Sequence, residues 1–242
     1  AEDGQALARA SGELEASLKA RPDDWVSHYN LGNYYVERGQ PESALEEFGT
    51  AIALDSSRLM PLVNASMIHA RMGDNAEAER QLRKALEIEP ANPQANFNLG
   101  LLLAEKGDMK GAERCLRMTV ESDPNLAEAA FNLGVLVAQD RLDEAVQLTR
   151  RAFIIRPDAA RYGYTYAFYL SEKGNLTESA SVLHQLIETQ PEYSLSYALL
   201  GSIYERLGQA GRATDIYRRA LATDHLSPRE RYEFQSRLGE SN

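Results

Sequence analysis

Apolar residues along the chain recur three or four apart, the spacing of a helix face, and the runs they form stop at regular places. Gly39, Gly73, Gly107, Gly174 and Gly208 interrupt them. A second series of breaks falls at Pro22, Ser56, Pro90, Pro124, Pro157, Pro191 and His225, in steps of 34, 34, 34, 33, 34 and 34 residues. Small residues keep the same phase: Ala44, Ala78, Ala112 and Ala145 follow the turns, and Ala51, Ala85, Ala152 and Ala220 recur further on. A fixed period of this length predicts repeated supersecondary units, each with two helices around a glycine turn. In one unit Asn92 supplies an N-cap, Pro93 the first helical position and Gly107 the stop. The second helix of that unit is predicted from about Met109 to Ser122, because the residue before Pro124 disfavours helical geometry.

The repeated packing positions carry a resemblance. Leu31, Gly32, Tyr35, Ala44, Phe48 and Ala51 occupy them in the first complete unit. Leu99, Gly100, Leu103, Ala112, Leu116 and Pro124 do so in the third, and Leu200, Gly201, Tyr204, Ala213, Tyr217 and Ala220 in the sixth. This set resembles the signature of a tetratricopeptide repeat array over nearly the whole chain. The resemblance implies an all-α fold, a right-handed α–α superhelix (a tetratricopeptide repeat solenoid) of helix–turn–helix hairpins. Six units are expected across residues 23–226, starting near 25, 59, 93, 127, 160 and 194. Residues 1–22 carry Leu7, Ala10, Leu14 and Leu18, the pattern of a second helix without its first, which suggests an array that begins upstream. Residue 1 is Ala rather than Met, which fits removal of a preceding segment. Residues 227–242 open with Ser227-Pro228-Arg229-Glu230, a capping box with proline inside it, and are expected to form a C-terminal capping helix. The fourth unit lacks one residue between Val137 and Ala145, and its AQDRLDEA turn has no glycine, so its helices are expected to meet at an altered angle.

One feature does not serve packing. Asn30, Asn64, Asn98 and Asn132 stand 34 apart in four successive first helices, although asparagine is a mediocre helix former. In tetratricopeptide repeat arrays this position faces the concave side. Neighbours on that face lie three or four residues away, giving a row of Tyr29, Val63, Phe97, Phe131 and Tyr164 and a row of Asn33, Met67, Leu101, Val135 and Phe168. A carboxamide both donates and accepts, so it can pair with a peptide unit while apolar neighbours supply affinity. The row is similar to the asparagine ladder that holds peptides in the repeats of O-GlcNAc transferases. Thr165 and Leu199 replace it in the last two units. The alternative is structural, with the amides bonding the adjacent repeat or facing solvent.

Composition and charge narrow the choice of partner. The 242 residues are 43% hydrophobic and 26% charged, which suits an ordered globular chain. A net charge of −10 argues against nucleic acid as a partner, and no apolar run approaches the roughly 20 residues of a membrane span. Binding of a C-terminal carboxylate, as in chaperone-binding arrays, needs cations at places here held by Tyr29, Gln94 and Asn98, with Asn33 and Asn64 in the asparagine places. No HExxH, CxxCH or phosphate-loop motif occurs. His28 and His69 take helix-packing positions and Cys115 sits beside Leu116, so all three are read as core. Carboxylates such as Glu46, Glu47 and Glu77 are read as a solvated convex face. In the groove rows only Glu128 and Arg161 carry charge.

The expected function is therefore a scaffold that binds a protein or peptide segment, with no catalytic or metal residues and no cofactor. The alternatives are a homo-oligomer whose groove is filled by another copy, and a substrate-presenting arm of a larger protein. The stretch DAARYGYTYAFYL at 158–170 resembles an aromatic-rich unit in repeat tails of bacterial multihaem cytochromes, which leans the location toward the bacterial periplasm.

Overall fold

The computed structural model describes residues 23–239 together with Ala16 and Arg21. The partial repeat expected over residues 1–22 lies, apart from those two, outside the described residues. Among the described residues there are thirteen helices and no strand, and the chain divides into two compact units, 1–123 and 124–242.

The first unit contains three hairpins: α1 (Trp25–Glu37) with α2 (Pro41–Leu54), α3 (Leu59–Arg71) with α4 (Asn75–Ile88), and α5 (Pro93–Glu105) with α6 (Met109–Ser122). Local chemistry starts five of these six helices. Asp24, Asp74, Asn92 and Asp108 accept from backbone N–H groups of the first turn, and Pro41 and Pro93 sit where a missing N–H leaves nothing unsatisfied. The first helix of each hairpin ends on a residue in the left-handed region. At Gly107, φ is +83°, and the Asp108 N–H then bonds the Leu103 carbonyl at 2.8 Å, which closes the helix end. Small residues let the two helices approach. A Cβ on Gly32 would lie 2.5 Å from the Phe48 ring, and Ala44, Ala51, Ala78 and Ala85 are wholly buried.

The second unit holds α7 (Ala127–Val137) with α8 (Leu142–Ile155), α9 (Ala160–Glu172) with α10 (Leu176–Thr189), and α11 (Ser194–Arg206) with α12 (Ala210–Leu221). A last helix, α13 (Pro228–Arg237), packs on α12 through Phe234, whose ring lies 5.9 Å from that of Tyr217. Ser227 and Glu230 form a reciprocal capping box at its start. The hairpin without a glycine turns differently. Helix α7 stops two residues earlier than the other first helices, and Arg141 N–H bonds the Val137 carbonyl at 2.8 Å with no left-handed residue. Its two helices nonetheless pack over as much of their length as those of the first unit.

Candidate functional site

The repeat phase brings every fourth or third residue of a first helix to one face, and each unit has such a face. In the first unit, Met67 is 38% and Leu101 40% exposed, while Asn33, Phe97 and Asn98 are half-buried and Asn30 is exposed. In the second unit, Val135 is 45% and Phe168 37% exposed, with Phe131, Asn132 and Tyr164 half-buried. Val63 is the exception among the apolar residues read onto this face. It has no exposed surface at all, because a short branched side chain ends inside the packing where the rings at Tyr29 and Phe97 reach out.

The four asparagines are not equivalent. Asn64 Nδ2 donates to Asn33 Oδ1 at 2.7 Å and to the Tyr29 hydroxyl at 3.4 Å, so its amide ties α3 to α1. Asn132 Nδ2 donates to the Glu128 carbonyl one turn back. Asn98 Oδ1 accepts from Gln94 Nε2 at 3.1 Å, but its Nδ2 is buried with no partner. A buried donor without a bond costs about 1–3 kcal/mol.

Asn98 also lines a concavity of this face in the first unit, an open cleft of about 220 Å³ between α3 and α5, with α4 beneath. Met67, Ala70, Leu101 and Leu102 form its sides, Ala78 and Leu82 its floor, and Arg71 and Glu105 its mouth. Sequence reasoning placed Met67, Asn98 and Leu101 and missed the rest. Arg71 and Glu105 stand 34 apart and follow Met67 and Leu101 by one helical turn, so a third row in the same phase was there to be read. Leu82 comes from a second helix, which no first-helix row contains.

The face of the second unit is aromatic. Phe131 stacks on Tyr162 with centroids 4.7 Å apart, and the Arg161 guanidinium lies 4.8 Å above the Phe131 ring. Tyr164 meets Tyr193 edge-on at 5.7 Å, and burial raises both phenols above their ordinary range. Glu128, read as a groove charge, is paired with Arg156 at 3.2 Å.

Several residues read from sequence as core or as solvated surface turn out to be partnered in between. His28 Nδ1 lies 2.6 Å from Glu47 Oε2, and His69 Nδ1 lies 3.7 Å from Asp74 Oδ2; both rings are half-buried rather than core. Glu77 is half-buried as well, bonded by Gln81 and Arg80, and those bonds outweigh burial in holding its carboxyl below the usual range. Cys115 is half-buried, and burial pushes its thiol up, away from the reactive thiolate. Among the described residues no helix is long and apolar enough to cross a membrane.

The comparisons with known proteins agree with this architecture. Three family models, each described as tetratricopeptide repeat, match residues 13–46, 69–133 and 169–228. Tetratricopeptide repeat protein 7A of Homo sapiens is 30% identical over 87 residues, 36% of this chain, and the match spans only 10% of that relative's length. Among solved structures, YrrB, a tetratricopeptide repeat protein with an unusual peptide-binding site, superposes with a TM-score of 0.63 at 24% identity, covering 77% of this chain and 96% of YrrB. Pseudomonas aeruginosa pilF superposes with a TM-score of 0.69 at 18% identity, covering 90% of this chain and 99% of that one. At such identities the two structures speak to the fold alone. With a 34-residue period, stacked hairpins and matched models over most of its length, the chain belongs to the tetratricopeptide repeat family.

Proposed function

We propose that the chain is a non-catalytic scaffold whose first-helix faces hold an extended or helical segment of a partner protein. The observation that carries this reading is the run of large apolar side chains left open on those faces. Met67, Leu101, Val135 and Phe168 are each more than a third exposed at one repeat position, where packing would have favoured small or polar residues. Burying such side chains against a partner is worth about 25 cal/mol per Å² before the costs of association. In this reading the sequence-derived site residues divide into contact residues (Met67, Phe97, Leu101, Phe131, Val135, Tyr164 and Phe168) and amides that shape the face (Asn33, Asn64 and Asn132). Asn30 and Asn98 remain available to a partner.

The test is selection of random dodecapeptides on the intact chain, followed by binding to Leu101→Asp and Phe168→Asp variants. Both sites are exposed, so helical circular dichroism should be retained while affinity for selected peptides falls at least tenfold. Peptides that bind both variants as well as the parent would refute the reading. Light scattering on the same samples decides whether a second copy fills the face instead: a stable dimer dissociated by either aspartate would replace the partner segment with the chain itself.

A further inference from the structure

We infer that the cleft between α3 and α5 is an anchor pocket for one uncharged aliphatic side chain of a partner segment, with the partner's adjacent main-chain carbonyl accepting from Asn98 Nδ2. The inference rests on the scaffold reading above and goes further in fixing one subsite and its chemistry.

Four observations converge. The first is the orphaned amide hydrogen. Of the asparagines in the repeated row, Asn64 and Asn132 already donate within the protein, and Asn30 lies out in solvent. Asn98 alone pairs a buried, unsatisfied donor with a wall of a concave site. Its terminal torsion is broad, so a modest rotation turns Nδ2 into the cleft toward an arriving acceptor. The amides of the row are therefore not equivalent, and Asn98 is the one whose unused donor stands in a concave site.

The second is size. The cleft's 220 Å³ falls below the roughly 300–1,000 Å³ of sites that enclose whole small molecules. It suits a single leucine- or methionine-sized side chain on a ligand whose main chain runs outside.

The third is lining. Met67, Ala70, Leu82, Leu101 and Leu102 present aliphatic carbon and one thioether, and the flexible Met67 can adjust to the shape of its guest. The fourth is charge. Arg71 and Glu105 both line the cleft with opposite signs, and neither makes an ion pair among the described residues. Their fields oppose one another, so an anionic or cationic group entering the cleft gains from one and loses to the other. A neutral side chain followed by a peptide carbonyl fits without that conflict.

The experiment uses the intact, isotope-labelled chain and two probes, N-acetyl-L-leucine N-methylamide and its glycine counterpart, followed by NMR of side-chain amides and methionine methyls. The leucine probe should shift the Asn98 amide and the Met67 methyl, saturating on the order of 1 mM as its size allows; the glycine probe should not. Ala70→Leu fills the cleft from an exposed position and should abolish the response. Asn98→Ala should weaken it about fivefold, the worth of one neutral hydrogen bond. Equal shifts from both probes, a response that survives Ala70→Leu, or shifts at Asn64 or Asn132 as large as at Asn98 would each overturn the anchor pocket. If selected peptides are still lost on Leu101→Asp when the leucine probe fails, the anchor pocket falls and the scaffold reading stands; if those peptides also ignore Leu101→Asp, both fall.

Discussion

The two compact units share one period and solve the same packing problem in different ways. In the first, the helices of each hairpin meet across small residues, and the first-helix face carries amides, Met67 and Leu101 beside the rings of Tyr29 and Phe97. In the second, α9 with α10 and α11 with α12 approach less closely than the hairpins of the first unit. The residues explain it. Tyr166 stands where other hairpins have Leu31, Leu99 or Leu133, Leu186 replaces an alanine, and Tyr217 adds a hydroxyl to the position held by Phe48, Leu82 and Leu116 in the first unit. Larger rings bring hydroxyls into the interior, and each buried hydroxyl needs a partner. Tyr166 donates to Glu178 at 2.6 Å and Tyr217 to Glu205 at 3.0 Å, while Ser179 Oγ bonds the Ala167 carbonyl and Arg206 reaches Ser171. A conserved period thus fixes where helices lie along the chain without fixing how tightly they close or what their open face presents.

The sharpest contrast is steric. Alanine at Gly201 places a Cβ 2.1 Å from the Tyr217 ring, which is rigid and anchored by Glu205. Gly201→Ala should cost about 3 kcal/mol by urea denaturation. Gly100→Ala in the first unit meets Leu116 at 3.1 Å, a side chain that can pivot, and gains helix propensity, so its net change should stay within about 1 kcal/mol. Equal losses at the two glycines would show that an anchored ring yields as readily as a leucine side chain.

Next comes pH. Burial, reinforced by the facing carboxylates, raises the Tyr166 and Tyr217 phenols to about 12, against an ordinary value of about 10. Because the folded value lies above the unfolded one, their contribution is intact below pH 10 and is lost as pH rises toward 12. The urea midpoint of the parent should fall across that window, and a Tyr166→Phe, Tyr217→Phe double variant should fall less steeply. An unchanged slope would remove these hydroxyls from the account of the second unit.

The smallest effects separate the asparagines. Asn98→Ala removes an unsatisfied donor and adds helix propensity, so it should stabilise by up to about 1 kcal/mol while weakening the anchor pocket. Asn64→Ala loses the bond to Asn33 and should come out neutral or destabilised by about 0.5 kcal/mol. Thermal melts of the two variants side by side check the order; the reverse order would mean that Asn98 is the structural amide and Asn64 the free one.

Much of this was legible from residues alone, and the limits are physical. The helices were readable because caps, prolines and left-handed glycines act within a few residues of themselves. Met67 and Leu101 were readable as open because a repeat phase maps them to one face. Val63 misled because phase gives direction and not reach. Glu47 and Glu77 misled because an acidic residue on a helix gives no hint that His28, or Gln81 and Arg80, will take it up. Arg71 and Glu105 were legible in the same phase, one helical turn beyond Met67 and Leu101.

The linear sequence, then, settled the 34-residue register, the all-helical hairpins and the family, since each depends on local spacing repeated many times. Tertiary packing alone decided which carboxamide is left with an unused hydrogen, and that a cleft opens beside it. That outcome turns on distances between side chains from three different helices, and no pattern along a single one contains them.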